Sequence, residues 1–162
     1  MTVSQITAPV WRSRAGDSPA DLATLYRDAA ERIRACGYDG ATVTGDYEGS
    51  HGISITTALR QAADTYGAQT RGKGILGPYT AADAADLAEE LETRLAAVLY
   101  LTGQLTYRTG IRDLSDQVAA WENDLPRVKG SWPARYRWHT QDEALAVLET
   151  AAVLCDALGW QS

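Results

Sequence analysis

The stretch from Pro126 to His139 combines basic and aromatic side chains without any acidic one. It contains four of the 15 basic residues of the chain and none of the 21 acidic ones. Trp, Tyr and Arg dominate the hot spots of protein interfaces, and a loop of this length without secondary structure is usually functional or disordered. A partner-binding surface is therefore predicted for seven residues: Arg127, Lys129, Trp132, Arg135, Tyr136, Arg137 and Trp138.

A second interpretation of this basic loop, residues 126–139, is intramolecular. In it, Trp132 and Trp138 pack back over the protein as a lid, and the arginines pair with an acidic helix face. A specific contact with nucleic acid is a third alternative, although the net charge of −6 disfavours general attraction to phosphates. The sequence leaves these alternatives open, with a protein partner or self-association favoured over nucleic acid.

The glycine-rich stretch from Tyr38 to Gly52 carries a weaker candidate site. Asp46, Glu48 and His51 lie within six residues, and carboxylates of this kind bind hard cations. Their spacing matches no common metal-ligand pattern, however, and Asp and Gly are frequent in solvated turns for backbone reasons alone. A small-ligand site or an enzyme active site is therefore kept here as an alternative, and no metal or cofactor is predicted.

Other sequence motifs that are typical of catalytic sites are either absent or lack the spacing and neighbouring elements that their chemistry needs. The stretch from Gly67 to Gly74 resembles a phosphate-binding loop, but it follows a predicted helix and has Gly74 where a magnesium-binding Ser or Thr belongs. Cys36 and Cys155 lie far apart without metal-ligand spacing and are interpreted as helix-packing residues. No G-x-S-x-G element is present. We therefore expect a protein that is not an enzyme.

Composition is that of an ordinary globular protein, with 45% hydrophobic and 22% charged residues. The 162 residues suffice for one domain with a single core. No N-terminal run has the apolar core of a signal peptide, and no run approaches the length of a membrane span. The expected location is the cytoplasm.

Five segments with helical periodicity must position the candidate sites. The predicted helices run from Ser18 to Cys36, from about Thr56 to Tyr66, from Thr80 to about Thr102, from Asp113 to about Asn123 and from Thr140 to Leu158. Gly37, Gly67 and Gly103 are predicted to end the first three. Thr140 and Glu143 have the spacing of a capping box at the start of the last.

These elements predict a mainly α protein, a compact and irregular five-helix bundle. The last helix is expected to be central, because apolar residues cover about half of its circumference. Residues 1–17 are expected to form an N-terminal tail or arm, and residues 18–162 a single helical domain. A turn or short hairpin is expected around Ala41 to Thr44, in the glycine-rich stretch after the first helix.

Two parts of the chain resemble a family of small proteins from actinobacteria and their phages, a domain of unknown function. The resemblance covers roughly Leu22 to Tyr66 and Leu114 to Leu158. It rests on Ala29-Ala30, Ile33-Arg34 and Gly37-Tyr38, on Thr57 to Ala63, and on Trp121 to Asp124 preceding Thr140 to Ala144. The family pattern has Trp-Asn-Asp contiguous and a short connector to the last helix, so Glu122 and the basic loop depart from it.

The resemblance implies a helical fold in a bacterial or phage setting, and it brings no activity and no catalytic residues. Combined with the basic loop, it leads to one functional hypothesis. The protein is expected to be a non-enzymatic interaction module, a phage-encoded modulator of a bacterial host protein.

Overall fold

The structure is a computed structural model that describes residues 19–40, 52–70, 81–104, 115–123, 130–133 and 139–159. Five helices make up most of these residues. In chain order they are α1 (Pro19–Cys36), α2 (Ile55–Thr70), α3 (Ala81–Leu101), α4 (Ser115–Asn123) and α5 (Gln141–Gly159). The described ranges contain no β-strand. The prediction of a mainly α helical bundle is confirmed.

Helix α1 buries one apolar stripe between α2 and α5, its two main neighbours. The stripe consists of Leu22, Leu25, Tyr26, Ala29 and Ile33. Gly37 ends the helix with a φ of 86°, as predicted, and its amide donates to the carbonyl of Ile33 over 2.7 Å. The prediction that Cys36 is a packing residue is wrong: this thiol is exposed, because the last residues of α1 extend beyond the core.

Helix α2 begins where Ser54 caps it, since the Thr57 amide donates to Ser54 Oγ over 3.1 Å. The predicted stop at Gly67 is wrong, because the helix continues through this glycine to Thr70. A glycine inside a helix costs only about 1 kcal/mol, so it ends a helix only where the chain also turns. Gly103, after α3, does so with a φ of 72°.

Helix α3 packs against α2, α4 and α5 and contributes nine buried residues to the core. One of them, Arg94, is charged and was not expected there; its Nη2 donates to Glu90 Oε1 over 2.8 Å. A solvated face was expected for Asp86, Glu89, Glu90 and Glu92 of this helix; Asp86 and Glu89 are exposed, Glu92 is intermediate, and the Glu90 side chain is only 11% exposed beside Arg94. Among the described helices, none combines the length and hydrophobicity that a membrane-spanning segment needs.

The capping box at the start of α5 is confirmed. The Thr140 amide donates to Glu143 Oε1 over 2.9 Å, and the Glu143 amide donates to Thr140 Oγ1 over 3.2 Å. The central position predicted for α5 is wrong, because α5 packs mainly against α1 and less extensively against α3. Leu145 and Leu154 on its apolar face are only partly buried, so the width of the face overstated its burial.

Candidate functional site

Trp132 is the one predicted partner-binding residue that the described part of the basic loop includes. Its side chain is 89% exposed, and the neighbouring Gly130 and Pro133 are exposed as well. The interpretation in which Trp132 packs back over the bundle is therefore wrong. The other six predicted residues lie outside the described residues: Arg127, Lys129, Arg135, Tyr136, Arg137 and Trp138.

The last residue of the basic loop, His139, is held against the bundle. Its ring stacks on the indole of Trp121, with ring centroids 3.7 Å apart and an angle of 14° between the planes. Trp121 itself is buried on α4, and the imidazole side chain is only 10% exposed. The loop thus has an exposed tryptophan in its middle and a buried aromatic contact at its end.

Glu122, which follows Trp121 on α4, has a fully buried carboxylate. One oxygen, Oε2, accepts from the Ile55 amide and from the Tyr38 hydroxyl, each over 2.9 Å. The other, Oε1, accepts from the Thr56 hydroxyl over 3.0 Å and from the Thr56 amide over 3.3 Å. Glu122 therefore caps the N-terminus of α2, where free amides and the positive end of the helix dipole stabilise a carboxylate.

Burial and hydrogen bonding act on Glu122 in opposite directions. Desolvation raises the pKa of the carboxyl group, and the hydrogen bonds from Ile55, Tyr38 and Thr56 lower it, with a net increase. The pKa of the Tyr38 phenol is also raised, first by burial and then by the charge of Glu122. The Tyr38 hydroxyl thus acts as a hydrogen-bond donor to the carboxylate.

Close backbone packing brings Tyr38 to Glu122. Residues 37–39 and 52–54 flank the glycine-rich loop and pair through a parallel bridge between Tyr38 and Ile53. A Cβ atom at Gly52 would lie 2.7 Å from the carbonyl carbon and oxygen of Gly37, so a side chain there requires the two strands of backbone to separate. The predicted hairpin at Ala41 to Thr44 lies outside the described residues.

Together these contacts define the α4-end cluster, which consists of Tyr38, Trp121, Glu122, His139 and Glu143. Glu143 belongs to it because its Oε2 lies 3.6 Å from His139 Nδ1 and because its charge helps to raise the pKa of Tyr38. The cluster joins α2, α4 and the start of α5 at one end of the bundle. The basic loop lies between α4 and α5 in the sequence, and its last residue, His139, belongs to the cluster.

Within the described ranges, no group of three or more His, Cys, Asp and Glu side chains has the arrangement to hold a metal ion. The weaker candidate site at Asp46, Glu48 and His51 lies outside the described residues. Cys155 is buried among the helices, and desolvation raises the pKa of its thiol to about 12. A thiol that is protonated at neutral pH is a poor nucleophile, as expected for a packing residue.

Comparison with known proteins does not extend this description. No protein-family model, characterised protein or solved structure matches the chain.

Sequence reasoning did not single out Glu122 as a structural or functional residue. A usable signal was present, because Glu122 follows buried Val118 by four positions and so lies on the same face of α4. An acidic residue on a buried helix face requires donors. Its donors lie 66 to 84 positions away in the sequence, so local spacing did not identify them.

Proposed function

We propose that the protein is a non-enzymatic interaction module that binds an acidic surface of a partner protein through its basic loop, with Trp132 as the apolar anchor. The 89% exposure of Trp132 is the observation that supports this most directly. A tryptophan exposed to this degree offers a large apolar area for contact, and tryptophan is among the commonest interface hot spots.

Charge complementarity suggests the chemistry of the partner. The basic loop has four basic residues and no acidic residue, whereas the whole chain has a net charge of −6. Such a local reversal of charge steers association with acidic surfaces and disfavours basic ones. The resemblance to an actinobacterial and actinophage family makes a bacterial host protein the partner class that we propose.

The α4-end cluster supports this proposal by its position. It holds the last residue of the loop through the stack of His139 on Trp121, and the capping box fixes the residue that follows. A loop held at a rigid end loses less conformational freedom on binding than a free tail. The loop thus combines an exposed Trp132 side chain with a last residue, His139, that is held against the bundle.

Site-specific photocrosslinking tests the proposal. A photoreactive phenylalanine analogue is placed at position 132, and as a matched control at position 153, where Val153 is also an exposed apolar residue. In an actinobacterial lysate, we expect one acidic protein, or a second copy of the chain, to crosslink at position 132 and not at position 153. Arg135→Glu and Arg137→Glu, combined in the crosslinking chain, should reduce that crosslink at least about tenfold.

Equal crosslinking at the two positions, or none at position 132, would contradict the proposal. If the two charge reversals leave the recovery of a crosslinked partner unchanged, the electrostatic part of the proposal is wrong. If the chain binds nucleic acid with an affinity that falls steeply as the salt concentration rises, the nucleic-acid alternative is favoured over a protein partner.

A further inference from the structure

We draw no further inference here: the strongest candidate, the exposed face of α5 at Ala146, Val153 and Ala157, carries none because nothing in the described residues shows what covers it.

Discussion

Glu122 and His139 are two buried polar side chains at the same end of the bundle, and they differ in how they are satisfied. The Glu122 carboxylate accepts four hydrogen bonds, two of them from backbone amides of α2. Neither ring nitrogen of His139 has a hydrogen-bond partner among the described residues. Burial alone therefore does not determine the role of a polar side chain. The role also depends on which residues provide its hydrogen-bond partners.

Three of the four hydrogen bonds to Glu122 come from Ile55 and Thr56 of α2, which must unfold at its N-terminus to release them, and the fourth comes from Tyr38. Glu143 Oε2 lies 3.6 Å from His139 Nδ1, which is longer than a hydrogen bond, and the other oxygen of Glu143 accepts from the Thr140 amide. Glu122 is thus tied by four hydrogen bonds to the residues that it joins, and we assign it a structural role.

Glu122→Ala should have the largest effect on stability. The substitution leaves the buried amides of Ile55 and Thr56 without their acceptor and creates a small cavity, so we expect the free energy of unfolding to fall by about 3 to 5 kcal/mol. Urea unfolding measures it. Glu89→Ala, at an exposed position on α3, is the control and should change stability by less than about 0.5 kcal/mol. Similar losses for the two variants would refute the capping role of Glu122.

The pH dependence of Glu122→Gln should show a smaller effect. Because burial raises the pKa of Glu122 above its ordinary value of 4.5, the folded state holds this proton more tightly than the unfolded state. The contribution of Glu122 to the free energy of unfolding therefore decreases as the pH rises from 4.5 through the raised pKa. Glutamine cannot titrate, so the stability of the parent chain minus that of the variant should decrease from about pH 4 to pH 7.

Urea unfolding at several pH values between these limits provides the measurement. A difference that increases with pH would show that the hydrogen bonds from Ile55, Tyr38 and Thr56 outweigh desolvation. The pKa of Glu122 would then be lowered in the folded protein, contrary to our assignment.

His139→Phe should have the smallest effect, measured at about pH 8 where a free imidazole is neutral. Phenylalanine preserves the stack on Trp121 and removes two polar atoms that have no hydrogen-bond partner among the described residues. We expect a change within about 1 kcal/mol, or a gain in stability. His139→Ala, which also removes the stack, should cost more. A loss above about 2 kcal/mol for His139→Phe would show that the imidazole makes an essential bond even when neutral.

The sequence predicts those parts of the fold that local chemistry determines. Gly37 and Gly103 end their helices in the left-handed conformation, and Thr140 with Glu143 forms the capping box, because all of these signals act within a few residues. The prediction at Gly67 was wrong because it also used only local sequence. A glycine gives a similar local pattern whether the helix ends there or continues. The glycine signal was therefore right at Gly37 and Gly103 and wrong at Gly67, whereas the capping box, which needs two matched residues, was right.

The candidate site was less predictable, because its contacts are not local. The sequence left open whether Trp132 is exposed or packs back over the bundle, and only its 89% exposure in the structure excludes the second arrangement for this residue. The sequence analysis did not identify Arg94 as a core residue, although it lies three positions after buried Leu91 and its side chain is fully buried. The stack of His139 on Trp121 joins two aromatic rings that are 18 positions apart in the chain, and no sequence spacing indicates it.

The capping of α2 by Glu122 also has a consequence for the order of folding. Ser54 supplies a local cap, but the Ile55 amide finds its acceptor 67 positions later in the chain. Helix α2 therefore cannot complete its N-terminus until α4 has formed and docked, and isolated helices of this length are marginal in water. A chain truncated before α4 would lack this acceptor, so we infer that the full N-terminus of α2 forms late and that its formation is coupled to the assembly of the bundle.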